Sequence, residues 1–169
     1  MSTTTQTTID KLATPTDLNA DASERIAEAI NPLIADALAL YVKTKNYHWH
    51  LAGRHFRDYH LLFDEQAAQI LATVDVLAER VRKVGGTTLR SIGHIAQLQK
   101  VKDDDRDLVE AREMLIELTD ENKAMAQRMR DAHAITSEVR DVATTSLLEE
   151  FIDQTEERTW FLFEASREG

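Results

Sequence analysis

The chain has 169 residues with a formal net charge of −10, no cysteine, 5 glycines, 2 prolines and a hydrophobic share of 43%. This length suits one domain with a sizeable core; the lack of cysteine excludes disulfides, zinc–thiolate sites and iron–sulfur clusters; and the acidic balance draws cations while repelling nucleic-acid phosphates. No apolar stretch approaches the roughly 18 residues of a membrane span, and the N-terminus lacks a basic segment followed by an apolar one, so no membrane association and a cytoplasmic location are expected.

Residues 1–19 are rich in Thr and read as a flexible arm, with residues 20–169 forming one domain. Asp21 with Glu24 resembles a capping box and opens an apolar-periodic segment that runs to about His50. Pro32 predicts a kink or restart near Asn31, and Gly53 ends the segment. A second helix is predicted from about Arg57 to Val84, with Phe63, Ala67, Ile70, Val74, Leu77, Val81 and Val84 on its core face. Gly85-Gly86 stops it, and Arg82 and Lys83 in its last turn suit the helix dipole. Leu89 to Gln99 predicts a short connecting helix. A third helix is predicted over about Asp107 to Ala132, with Leu108, Leu115, Leu118 and Met125 inward. A fourth is predicted over about Glu138 to Ser166, with Val142, Leu147, Phe151, Trp160 and Phe163 inward. The expected fold is therefore all-α: a four-helix bundle with a short connecting helix between helices two and three.

The second helix carries His60, Asp64, Asp75 and Glu79 as two i, i+4 pairs, and all four fall within a stripe about 100° wide. A solvated polar face would explain them, but Leu61, Ala68, Leu71 and Ala78 interleave the stripe. The plainly solvent-directed face carries Glu65, Gln69, Arg80 and Lys83 instead. The stripe therefore reads as a contact surface containing ligands. Asp64 and Asp75 stand 11 residues apart, about 16 Å along a helix, so no single metal centre spans them. The four positions are, however, symmetric about the point between residues 69 and 70. Two copies of the helix crossing antiparallel on a two-fold axis would bring His60 and Asp64 of one copy to Glu79 and Asp75 of the other, making two equivalent sites. His48, near the end of the first helix, can reach the His60 end.

Two imidazoles and three carboxylates suit Fe(II), Mn(II) or Zn(II). Carboxylates can bridge two irons, and open positions would admit peroxide or dioxygen. An ordinary ferritin-type centre inside the bundle needs Glu-x-x-His pairs, and none of the six histidines has a Glu three residues before it.

The residues Lys45-Asn-Tyr-His48-Trp49, then Gly53, Phe56, His60 and Asp64, followed by Asp75-Val-Leu-Ala-Glu79-Arg80 and Gly85-Gly86, resemble the Dps family, the DNA-binding proteins from starved cells and small relatives of ferritin. The resemblance implies a ferritin-like bundle assembled as a homododecamer built from two-fold dimers. It also implies a ferroxidase that oxidises Fe(II), usually with hydrogen peroxide, at a di-iron site shared between subunits, and stores a ferric mineral core. On that likeness His48, His60 and Asp64 come from one subunit, and Asp75 and Glu79 from its mate. Trp49 resembles a Trp that intercepts stray oxidising equivalents, with core or interface packing as an equal alternative. Lys45 resembles a Lys beside the site, with a plain surface role equally open.

The arm departs from the family's DNA-binding pattern. Residues 1–19 hold Lys11 against Asp10 and Asp17, so direct DNA binding is expected to be weak or absent, although association with the nucleoid stays open. Asp141, with Glu149 and Glu150, matches the place of the family's three-fold pore acids, as would exposed helix acids; Ser146 stands where some relatives have an acid. His50, His55, His94 and His133 read as an interface, an exposed, a packed and a helix-capping histidine, and Met114, Met125 and Met129 as core or near-core. The competing functions are a DNA-compacting protein with a vestigial site and a module binding manganese or zinc.

Overall fold

A computed structural model describes residues 11–167. The chain order is α1 (Ala20–His50), α2 (Phe56–Lys83), α3 (Ile92–Leu98), α4 (Ala111–Glu138) and α5 (Val142–Ser166), with no strand among the described residues. The expected four long helices and short connector are all present. No helix among the described residues is long and apolar enough to cross a membrane. The expected arm lies partly outside the described residues; of its remainder, Leu12 offers its carbonyl to Arg82 Nη2 at 2.6 Å.

The helix ends show why the chain turns where it does. The cap of α1 is Asn19, whose Oδ1 accepts from the Ala22 amide at 2.8 Å, and not the Asp21 box expected from the sequence. Pro32 sits within α1, which continues through it as one element. The Asn31 side chain reaches across to the Thr87 carbonyl at 2.9 Å, tying this stretch to the segment after α2. α2 stops as predicted. Gly85, at φ 87°, donates to the Arg82 carbonyl and Gly86 to the Val81 carbonyl, the paired bonds of a Schellman motif. A Cβ on Gly86 would lie 2.9 Å from Val81 Cγ1 and 3.1 Å from Ala27 Cβ, so the missing side chain also lets α1 approach.

The third and fourth helices correct the reading. α4 starts at Ala111, and Leu108, expected inward, is exposed outside the helix, with Val109 buried in its place. α4 ends with the same bond pattern as α2, but Arg140 takes the left-handed position at φ 62°. On α5, Phe151 is buried as expected. Val142, Trp160 and Phe163 are exposed, and the inward face is instead Thr144, Leu148, Phe151, Thr155, Arg158 and Leu162. Polar residues on that face hid it from a search for apolar periodicity.

α1 packs chiefly on α2, and α4 on α5; α1 also meets α3 and α4. Ile26, Ile30, Leu40 and Tyr47 of α1 join Phe63, Leu77 and Val81 of α2, Met114, Leu118 and Met129 of α4, and Leu148 and Leu162 of α5 in one core. Every residue predicted for the core face of α2 is buried or packed against that core.

Candidate metal centre

His48 and His60 come together where α1 ends and α2 begins. Their rings stack with centroids 3.7 Å apart and planes inclined by 20°. Each Nδ1 faces the other residue's carbonyl, His48 to His60 at 2.8 Å and His60 to His48 at 3.0 Å. A carbonyl can only accept, so each Nδ1 carries its proton and donates. In a neutral ring this tautomer leaves the lone pair on Nε2, the form in which histidine binds a metal. Phe56, one turn before His60, stacks on the His60 ring at 4.9 Å and 24°.

Asp64 stands one turn beyond His60, with Oδ1 3.9 Å from His48 Nε2 and 2.7 Å from Lys45 Nζ. The hydrogen-bonded Lys45 ammonium, helped by its charge, holds the Asp64 carboxyl below the usual carboxylate range. Lys45 Nζ also lies 5.8 Å from the ring centroid of Trp49, which is 62% exposed. The fold thus sets the two histidines together and Asp64 near them, short of a three-ligand cluster, with Lys45 between Asp64 and Trp49.

Asp75 and Glu79 are exposed farther along α2, and Glu79 Oε2 lies 3.5 Å from Lys83 Nζ. Leu61, Leu71 and Val76 are exposed on the same helix. Among the described residues, no group of three or more His, Asp or Glu side chains is close enough to hold a metal.

The bundle interior holds a buried arginine. Arg158, 3% exposed, donates from Nε to Asn122 Oδ1 at 3.1 Å and from Nη2 to Thr155 Oγ1 at 2.7 Å. Its carbonyl accepts from Gln66 Nε2 at 3.2 Å. Burial pushes the guanidinium pKa down to about 10, so it stays charged at neutral pH. A fixed positive charge in the core opposes a metal cation beside it.

The turn that carries His48 is anchored from behind by a polar network that the sequence reading missed. The Tyr47 hydroxyl donates to Asp104 Oδ2 at 2.6 Å or to Glu117 Oε2 at 2.5 Å. Arg106 bonds Asp104, Glu113 and Glu117, and Lys43 pairs with Glu117 at 3.5 Å and Glu121 at 3.2 Å. The Arg106 hydrogen bonds hold Asp104 far below the usual range; burial, with the two carboxylates behind it, pushes the Tyr47 phenol up. The run 103–107, four aspartates around Arg106, therefore contains an anchor. The residue before α4, Glu110, makes no side-chain cap.

Asp141 corrects the expectation of an exposed acid. It is buried, caps α5 through the Thr144 amide at 3.2 Å and pairs with Arg80 Nη2 at 2.7 Å. Glu149 faces His133 Nε2 at 3.0 Å, so His133 bridges two helices instead of capping one. Glu150, exposed, accepts from Gln154 at 3.1 Å. His50 is exposed, with Nδ1 2.9 Å from the Asn46 carbonyl; His55 is exposed against Tyr59; His94 is half-buried in α3.

The ferritin-like domain family matches residues 27–166. The chain is 31% identical to a DNA protection during starvation protein of Halobacterium salinarum, over 73% of each chain. Among solved structures, it superposes with a TM-score of 0.88 on DpsC from Streptomyces coelicolor, at 30% identity, covering 92% of this chain and 91% of that one. A Dps protein from Vibrio cholerae O1, described as a member of a broad superfamily of ferritin-like diiron-carboxylate proteins, matches with a TM-score of 0.85 and 26% identity over 92% of this chain and 98% of that one.

Proposed function

The chain belongs to the Dps family of ferritin-like proteins, and from that premise we propose that it is a ferroxidase and iron-storage protein. In this reading it oxidises Fe(II) with hydrogen peroxide or dioxygen at a di-iron site shared between two-fold-related subunits. His48, His60 and Asp64 of one subunit and Asp75 and Glu79 of the other supply the ligands, and twelve subunits enclose the ferric product. DNA protection follows from removal of iron and peroxide in the cytoplasm. Manganese or zinc would occupy the same donors.

One observation carries the reading: two stacked imidazoles, each with its Nδ1 turned to a carbonyl, stand beside Asp64, in a chain that does not itself close the site. The carboxylates that would close it, Asp75 and Glu79, lie on the partly apolar exposed stripe of the same helix. The charged Arg158 in the interior favours this location over the bundle core.

The chain's own groups have distinct parts in the chemistry. The histidines would give two nitrogen donors through Nε2, since each Nδ1 donates its proton to a carbonyl. Asp64 is kept ionised by Lys45 and so is ready to accept a cation, which must displace the ammonium. The carboxylates offset the added positive charge as iron goes from ferrous to ferric. Two ferrous ions would together supply two electrons, and solvent two protons, to one hydrogen peroxide, giving two ferric ions and two waters with no odd-electron fragment. Trp49, exposed beside the site, is placed to give up an electron to an oxidant that escapes.

A subunit-mixing experiment tests the shared site. Subunits with His48→Ala and His60→Ala are inactive alone, as are subunits with Asp75→Asn and Glu79→Gln. Co-refolded in equal amounts, they regain about a quarter of the wild-type iron-oxidation rate, because half the dimers are mixed and each mixed dimer has one intact site. No recovery in assembled, mixed dimers excludes the shared site. With the sparse basic charge of residues 1–19, plasmid is expected to migrate unretarded at moderate salt; clear retardation without divalent metal would refute weak DNA binding.

A further inference from the structure

We propose that Phe56 is a positioning residue for metal binding: its ring holds the His60 imidazole face-on, setting the direction and affinity of His60 Nε2. The inference rests on the metal-centre reading above and extends it to a residue outside the ligand set. Phe56 is 45% exposed and has no place in the buried core. A large apolar ring at the first position of α2 therefore lacks a packing explanation within the chain. Its contact is His60, at 4.9 Å between centroids and 24° between planes, four residues along the same helix face.

The need for such a support is local. The residue before α2, His55, makes no side-chain cap, and the turn before Phe56 is held by a backbone bond from the Phe56 amide to the Gly53 carbonyl at 3.1 Å. The α1–α2 turn passes through Gly53 at φ 120°. His60 is held by its Nδ1 bond to the His48 carbonyl and by stacking on His48. One hydrogen bond leaves rotation about its own direction free, and planar stacking restricts that rotation. The phenyl face also interacts more favourably with the imidazole as a metal ion on Nε2 withdraws electron density from it.

Cobalt(II), which is not oxidised by air in this setting and has visible absorption bands, is the probe. Phe56→Leu is expected to assemble like the wild type, bind Co(II) about five- to tenfold more weakly by calorimetry, and shift the visible bands. Phe56→Tyr, which keeps the ring, is expected to restore both. Phe56→Met keeps apolar volume without a ring and should reproduce the Leu result, which covers the case in which Phe56→Leu fails to assemble. Wild-type affinity and spectrum in an assembled Leu or Met variant overturn the proposal, as does failure of Tyr to restore them. If the wild-type protein shows no Co(II) binding that His60→Ala abolishes, the metal-centre reading itself fails.

Discussion

Tyr47 carries a hydroxyl that meets two carboxylates, one residue before a candidate ligand. Tyr47→Phe removes only that hydroxyl and is expected to cost about 1–2 kcal/mol in urea unfolding. Asp104 gives the pH dependence. Its folded pKa is depressed, chiefly by Arg106, so its stabilising effect is present above the unfolded carboxylate value and is lost as pH falls through the folded one. The melting-temperature deficit of Asp104→Asn is therefore expected to be full at neutral pH and to shrink only below about pH 4. The proposed ligand positions on α2 stood out in the spacing, because the i, i+4 pairs His60/Asp64 and Asp75/Glu79 interrupt an apolar stripe. The exchange of Nδ1 protons with carbonyls did not, since it depends on how two helix ends meet. Phe56 was half visible: it lies four residues before His60, but nothing in the spacing distinguishes a stacking ring from a core ring.

Helix ends divide in the same way. α2 announced its stop through Gly85-Gly86, and α4 gave no such sign because Arg140 occupies the left-handed position. Arg140→Gly is expected to stabilise the protein by about 0.5–1 kcal/mol, read as a higher melting temperature. At the other corner the direction reverses. Gly86→Ala forces a methyl against Val81 and Ala27 and is expected to cost about 1–3 kcal/mol. The core face of α2 was readable because apolar residues recur at helical spacing without interruption. The inward face of α5 was not, because Thr155 and Arg158 sit where an apolar residue was sought; only the partners Asn122 and Gln66, supplied by other helices, make those positions interior.

For the whole molecule, the four-helix architecture followed from long segments with little Gly or Pro, whereas the pairing of subunits had to be argued from symmetry along one helix. Leu71, exposed near the proposed two-fold axis, tests that pairing. Leu71→Glu is expected to leave the helical circular dichroism unchanged, to move the protein to smaller species on a sizing column, and to abolish iron oxidation with them. The separation of Asp64 from Asp75 along α2, described first as a reason to look for a second copy, also bears on when the protein becomes reactive. On the proposed reading a newly made chain would hold only half a catalyst. It would not set iron and peroxide together until it had met a partner, and in a growing shell that meeting would also build the container for the product. On that reading the specific activity is expected to fall on dilution with the fraction of paired subunits, and assembly would act as a safety interlock on the chemistry.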